Sequence, residues 1–301
     1  MAWQGYMLMA GCLHCGRTMT PLFEAHDENR RCPGHFSYAR CENCGLISNL
    51  TPPSDLQPYY AEEYYAIPSP ARLTKLAARE DCKMNAVSQF VTSGRLLEIG
   101  PAFGVFAARA KRDGFAVTCI ERDPRCCEFL ERGVGVAAIR SDDPVELLPQ
   151  LPAFDVIALW HVIEHLETPL KLVDAAAANL APGGILVLGT PNPDSFQFGV
   201  MGKTWPHLDA PRHLHLIPAR VLIDRARGNG LEPRLLDSDD ADARSWNRFG
   251  WQRLIMNRIR GKIGTAIGML AGMALSLAAR PAEYRNLRGS AYTLVLQKRK
   301  P

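Results

Sequence analysis

Several things are scarce in this sequence, and each scarcity removes a class of protein. No opening stretch joins a basic start to an apolar core: Met1–Ala10 runs straight into cysteine-rich sequence, so no secretory leader is expected. No internal repeat is visible, which argues against a solenoid or propeller. Charge of one sign is nearly absent in excess. Lysine and arginine number 35 against 31 acids, a balance of +4, which by itself makes no electrostatic case for nucleic acid. What remains is ordinary globular material, 47% hydrophobic and 22% charged, enough for one domain with an appendage.

Cysteine is not scarce. Nine occur, and without a leader they point to a reducing compartment, where clustered thiols bind metal more often than they pair. Cys12-Leu13-His14-Cys15-Gly16 and Cys41-Glu42-Asn43-Cys44-Gly45 repeat one knuckle. Two intervening residues let both sulfurs reach one ion from a tight turn, and the following glycine tolerates the positive φ such a turn needs. Cys12, Cys15, Cys41 and Cys44 together match the tetrahedral preference of structural zinc, with Cys32, His14 and His35 as lesser substitutes. A zinc ribbon is therefore expected over residues 1–50. It is followed by a proline- and tyrosine-rich linker at 51–70 and a larger domain over 71–301.

In that larger domain the hydrophobic pattern switches repeatedly between strand and helix. Ala71–Thr92 has helical spacing, with Leu73, Leu76, Met84, Val87 and Val91 available for one face. From Gly94, short apolar runs ending RLLEIG, FAVTCIE, GVAAI, FDVIALW and GGILVLGT alternate with helical stretches. Such alternation implies parallel strands joined by crossovers: an α/β, doubly wound sheet. LEPRLL and AYTLVLQ are later strands, and a helical insertion is expected between them at about 242–285.

The most informative stretch is LLEIGPAFGVFAARA. A strand ends at Ile99, the small-residue loop Gly100-Pro101-Ala102-Phe103-Gly104 follows, and a helix begins. Such a loop lets a ligand approach the backbone at a helix N-terminus. The next strand ends at Glu121, whose carboxylate can accept from both hydroxyls of a ribose. The pair indicates an adenosine-containing ligand. A dinucleotide is disfavoured because Ala102 and Val105 stand at the third and sixth fingerprint positions, and the lysine-bearing P-loop is absent.

With these residues on the page, 94 to about 240 resembles a class I S-adenosylmethionine-dependent methyltransferase. E-I-G-P-A-F-G stands for motif I, I-E-R-D for the acidic strand end, and FDVIALWHVIEHLETP and PGGILVLGTPNP for the fourth and fifth strands. The family more often reads E-x-G-x-G-x-G, so Pro101 and Ala102 depart from it. The resemblance implies a seven-stranded Rossmann-like sheet with an antiparallel last strand, and S-adenosylmethionine as cofactor. By position it implies that Glu98 and Gly100 line the methionine end, within a loop completed by Pro101, Ala102 and Gly104. Glu121 would hold the ribose, Asp142 (or nearly as well Asp143) the adenine amine, and Trp160 and His161 would stand beside the cofactor.

The segment after the fifth strand, TPNPDSFQFGVMGKTWPHLDAPRHLHLIP, carries His207, His213 and His215. In related enzymes this region covers the acceptor. A histidine titrates near working pH and can take a proton from a hydroxyl, so His213 in PRHLHL is the expected general base. His165 is expected to be a structural hydrogen-bonding residue.

In the insertion, Ile263–Ala279 is free of charge, near the lower length limit for crossing a bilayer (about 17 residues). Gly264, Gly268 and Gly272 recur at a spacing that permits close helix packing. A true crossing would strand AYTLVLQ on the wrong side. A packed helix is therefore expected, or one resting on a membrane surface through 252–280 with Arg253, Arg258, Arg260 and Lys262 at the headgroups. The reading as a whole is an enzyme methylating a hydroxyl of a small molecule or glycan, expected in the cytoplasm, free or peripheral to the membrane. The alternative is an RNA- or protein-modifying enzyme that grips a macromolecule with the ribbon. Nucleic acid is disfavoured, because Arg30, Arg31, Phe36, Tyr38 and Arg40 make only a modest cluster.

Overall fold

The computed structural model describes residues 11–60, 67–259 and 261–300. Strands β1 (Met19–Ala25), β2 (Phe36–Cys41) and β3 (Ile47–Asn49) form an antiparallel meander. Helices α1 (Pro70–Ala77) and α2 (Asp81–Ser88) lead into β4 (Arg95–Ile99), α3 (Val105–Arg112), β5 (Ala116–Glu121), α4 (Pro124–Phe129) and β6 (Ala137–Arg140). Then come α5 (Pro144–Leu147), β7 (Phe154–Trp160), α6 (Pro169–Asn179), β8 (Leu180–Pro191), α7 (Phe196–Met201) and β9 (His215–Leu216). Helix α8 (Ala219–Gly228), β10 (Leu231–Asp237), α9 (Ala241–Arg258), α10 (Gly261–Glu283) and β11 (Ala291–Lys298) complete the chain.

Seven strands form one sheet in the order β6-β5-β4-β7-β8-β11-β10. β4 to β8 are mutually parallel, and β11 inserts antiparallel to both β8 and β10. The central strands are apolar on both faces because helices cover both. Leu97, Ile99, Ile157 and Leu159 enter one core, and Leu96, Val156 and Ala158 the other. β4 has β5 on one side and β7 on the other, so the crossovers leaving it diverge and open a crevice at the carboxyl edge.

The stretch Ala71–Thr92 is divided into α1 and α2 rather than one helix, with Leu73, Met84 and Val87 buried. At the N-terminus the ribbon does not stand apart. β9, from the segment after β8, pairs antiparallel with β3 (Ile47 with Leu216, Ser48 with His215) and extends the small sheet to β1-β2-β3-β9. Phe36, Tyr38, Trp205, Leu208 and Leu216 share one core. The described part of the linker is packed too: Tyr59 lies edge-on to Phe36, with ring centroids 5.8 Å apart.

The insertion is a helical hairpin. α10 is long and apolar enough to cross a membrane, but its hairpin leaves β10 and returns into β11 of the same sheet. Its buried stripe is Gly264, Gly268, Gly272 and Ser276. A Cβ at Gly272 would stand 2.5 Å from Gln252 Cα, and one at Gly268 2.5 Å from Met256 Cγ, so backbone contact with α9 requires glycine there. The opposite face leaves Ile263 73% and Leu270 77% exposed. Arg260 lies outside the described residues, as do linker residues 61–66.

The stripe makes a prediction. Gly272→Val forces the two helices apart and should cost about 1–3 kcal/mol, the usual toll of overpacking. Leu270→Gln, on the exposed face, should stay within about 0.5 kcal/mol. Thermal melts by circular dichroism measure both; equal melting of the two variants contradicts the packing.

Candidate active site

A cleft of about 1280 Å³ opens at the carboxyl ends of β4, β5 and β7. Glu98, Gly100, Pro101, Ala102, Glu121, Asp142, Trp160 and His161 all line it. Gly104 does not. It caps α3 at φ 73°, where a Cβ would meet Leu130 Cδ2 at 2.4 Å, so its smallness serves packing against the chain after α4. Ala102 adopts φ 51°, a left-handed conformation in which glycine is the usual occupant. Its amide donates to Glu121 Oε2 at 3.0 Å, which ties the loop to the end of β5.

Glu121 is buried, and its Oε1 also accepts from the amides of Arg122 (2.8 Å) and Asp123 (2.9 Å). Three of its roughly four acceptor positions are thereby filled. A ribose held through both hydroxyls must displace one of these backbone donors. Both aspartates after β6 line the cleft; Asp143 also caps α5, accepting from the Val145 and Glu146 amides. At the other end, Glu98 Oε2 and Trp160 Nε1 are buried with no hydrogen-bond partner. An acceptor and a donor left unmet in this wall suit a ligand with polar groups, as the amino-acid end of S-adenosylmethionine has. Burial pushes the Glu98 carboxyl up to about 8, with Lys83 opposing.

Lys83 and Glu80 are site residues that the sequence did not disclose. They pair at 2.8 Å, both line the cleft, and Lys83 Nζ lies 5.3 Å from the centroid of the Trp160 ring. A signal existed: Glu80 and Lys83 stand three residues apart among Leu76, Met84 and Val87, in a stretch of helical spacing where an ion pair among apolar residues is unusual.

A second cavity, about 160 Å³, adjoins the cleft, and His161 and His165 line both. Its walls also include Glu164, His207, His213, Trp246 and Phe249. His161 leaves β7 at φ 56°. Its Nε2 lies 3.2 Å from Asp242 and its Nδ1 3.6 Å from Glu164. Burial opposes its charge, but Asp242 and Glu164 overcome this and push it up to about 9. Asp242, at the start of α9, is another residue missed; burial raises it, and His161 more than compensates, bringing it down to about 2.

The three histidines of the segment after β8 separate. His213 and His207 face the cavity, whereas His215 sits in β9 and bonds Ser48 Oγ at 3.0 Å in the ribbon sheet. Burial lowers His207 to about 3, and its Nε2 stands 2.9 Å from the Trp246 carbonyl. His213 Nδ1 stands 2.8 Å from the His207 carbonyl, which can only accept, so Nδ1 carries a proton and, in the neutral imidazole, Nε2 is the nitrogen with the lone pair.

Beside them Arg212 is fully buried. It donates to both oxygens of Asp27 (2.8 and 3.0 Å), both of Asp209 (2.7 and 2.8 Å) and the carbonyl of Tyr59. Burial disfavours its charge, but the Asp209 and Asp27 carboxylates outweigh that and raise it further. Nothing in the spacing of PRHLHL distinguishes this anchor from a surface arginine.

In the ribbon the four sulfurs of Cys12, Cys15, Cys41 and Cys44 lie within 4.8 Å of one another. Cys12–Cys44 is 3.4 Å and Cys15–Cys41 3.5 Å. A tetrahedron with zinc–sulfur bonds near 2.3 Å has edges of about 3.8 Å, so the group fits zinc. Gly16 (φ 69°) and Gly45 (φ 76°) supply the left-handed turns. Cys32, His14 and His35 are not among the converging ligands, and His35 meets His26 edge-on instead. Bound zinc would close the knuckles with no open position, hence a folding role. Purified protein should carry one zinc per chain at the ribbon, and Cys41→Ser with Cys44→Ser should remove it and lower the melting temperature. Elemental analysis of reduced protein showing no zinc contradicts the assignment.

Comparison with known proteins agrees with this geometry. Residues 69–236 match the family model described as a methyltransferase domain. A ubiquinone biosynthesis O-methyltransferase of Xylella fastidiosa is 31% identical over 46% of this chain and 61% of its own length. One from Cereibacter sphaeroides is 29% identical over 53% and 68%. The chain thus spans about three fifths of the length of the first of these relatives. The crystal structure of a SAM-dependent methyltransferase from Archaeoglobus fulgidus shares the fold at 16% identity, with a TM-score of 0.52 over 80% of this chain and 99% of that one. A matched domain covering more than half the chain, on a seven-stranded sheet of this order, decides the kinship: the chain belongs to the methyltransferase-domain family of S-adenosylmethionine-dependent enzymes.

Proposed function

We propose that this protein transfers the methyl group of S-adenosylmethionine to a hydroxyl oxygen of a small molecule or of a glycan's terminal residue. The observation that carries this is the small histidine-lined cavity beside the cofactor cleft. The cofactor supplies an already activated methyl, so the protein's task is alignment and removal of the acceptor's proton. His213 Nε2 offers the lone pair for that proton. The relatives named as O-methyltransferases support the oxygen assignment. The macromolecule-gripping alternative fares worse: Phe36 and Tyr38 are 4% and 0% exposed, so they cannot stack bases, and Arg31 is spent on the Asn257 carbonyl.

The test begins with calorimetry. Wild type should bind S-adenosylmethionine, and Glu121→Ala should weaken binding by about 1–3 kcal/mol. Hydroxylated metabolites and sugars are then screened with labelled cofactor. Against an accepted substrate, His213→Gln should cut turnover about 10²–10⁴-fold with cofactor affinity unchanged. No cofactor binding by wild type sinks the function, and full turnover by His213→Gln removes that residue's role.

We also infer that α10 rests on an anionic lipid surface. Ile263, Ile267, Leu270, Met273 and Leu277 form an exposed apolar face, and the exposed cations Arg258 and Lys262 flank one end and Arg280 the other. Arg253, by contrast, turns inward to the Asn29 carbonyl. The protein should co-sediment with phosphatidylglycerol-containing vesicles but not with neutral ones, and Ile263→Glu with Leu270→Glu should abolish this. Equal sedimentation of wild type and variant contradicts the inference.

A further inference from the structure

Three atoms in the acceptor cavity are arranged in a way that the methyl-transfer reading does not use. The ligand atoms of Glu164, His165 and His213 all lie within 4.8 Å of one another. Glu164 is fully buried, and its Oε1 has no hydrogen-bond partner. Its nearest cationic neighbour is His161 Nδ1 at 3.6 Å, beyond hydrogen-bond reach, so this buried carboxylate oxygen keeps an unmet acceptor position facing the cavity.

The groups behind these atoms hold each in the form a metal needs. Glu164 Oε2 accepts from Thr190 Oγ1 at 2.9 Å, which fixes the carboxylate and leaves Oε1 forward. His165 Nδ1 stands 2.9 Å from the Arg212 carbonyl. His213 Nδ1 stands 2.8 Å from the His207 carbonyl. Carbonyl oxygens only accept, so each Nδ1 carries a proton, and in the neutral rings Nε2 is the nitrogen free to ligate. Ligating histidines characteristically donate their other nitrogen to a carbonyl or carboxylate in this manner. The backbone is pinned as well, since the Leu214 amide donates to the Glu164 carbonyl at 2.8 Å. His213 Nε2 and Glu164 Oε1 are 4.0 Å apart, an opening that a first-row ion bonding each at about 2.1 Å would span.

We propose that Glu164, His165 and His213 bind a divalent cation in the acceptor cavity, separate from the ribbon zinc. Two imidazoles and one carboxylate leave coordination positions open, and these would take the acceptor hydroxyl. This rests on the hydroxyl-methylation reading and replaces only its proton step. The hydroxyl oxygen binds the ion, which lowers its pKa, and its proton passes to water in the cleft. An oxygen lone pair then forms the new O–C bond with the methyl carbon, and the breaking C–S bond returns its electron pair to sulfur. His213's lone pair is then on the metal and takes no proton.

Mn²⁺ is the probe, because a thiolate site already filled with zinc does not exchange for it. Electron paramagnetic resonance on zinc-loaded protein should show one bound Mn²⁺ per chain. Glu164→Gln and His213→Gln should each weaken it at least tenfold, while calorimetric binding of S-adenosylmethionine certifies that each variant is folded. With a substrate in hand, chelation should abolish turnover and Mn²⁺ restore it. Wild type that binds no Mn²⁺, or binds it as tightly after both substitutions, overturns the proposal. Metal-independent turnover that His213→Gln destroys overturns the ion's part in the reaction and leaves the base. Mn²⁺ bound as expected by a protein that methylates no hydroxyl upholds the site and defeats the hydroxyl reading alone.

Discussion

The buried guanidinium of Arg212 holds together the parts of this protein that the sequence places far apart. Its forked donors meet two carboxylates, one from the loop between β1 and β2 and one from the segment between α7 and β9, and a carbonyl from the linker. Taking such a charge out of water is tolerable only when every donor finds a partner, and planar bidentate contacts give arginine that capacity. Asn29 adds to the arrangement by donating to Asp209 at 2.6 Å. With Arg212 fixed, its own carbonyl orients His165, and the neighbouring His213 and Leu214 are set against His207 and Glu164. The histidine cavity is thus a by-product of an ion cluster that is mainly about joining segments.

The joining has a second component in the shared sheet. β9 belongs by sequence to the methyltransferase part and by hydrogen bonding to the ribbon. Tyr38 of the ribbon reaches across to donate to the His213 carbonyl at 2.9 Å. A metal that organises β1 to β3 therefore also organises the backbone on which the cavity histidines stand. Small cysteine-rich segments have little core of their own and depend on the ion for order. Here the ribbon shares its sheet with β9 and its Tyr38 with the His213 backbone.

The legible and illegible parts of the sequence divide along physical lines. Strands β4 to β8 could be read because a parallel sheet covered on both faces demands continuous apolar runs, and the knuckles because thiolate spacing admits few other uses. Glu121, Asp142 and the motif I loop were readable because they sit at strand ends, where position alone brings them to the crevice. Arg212, Asp27 and Asp242 were not: each acts through a partner remote in sequence, and no local periodicity marks such pairings. Lys83 lay between these cases, detectable as a charge on an apolar helix face. His215 shows the converse error, a histidine grouped with its neighbours by sequence but turned to the ribbon by the alternation of a strand.

The α9–α10 hairpin has one further consequence. Its inner side carries Asp242, Trp246 and Phe249: the first bonds His161, and the other two form cavity wall. Its outer side is the apolar face of α10, and the glycine stripe between allows the two helices almost no play. The same two helices thus carry an exposed apolar surface and a cavity wall, so a change in how α9 and α10 pack would alter both at once.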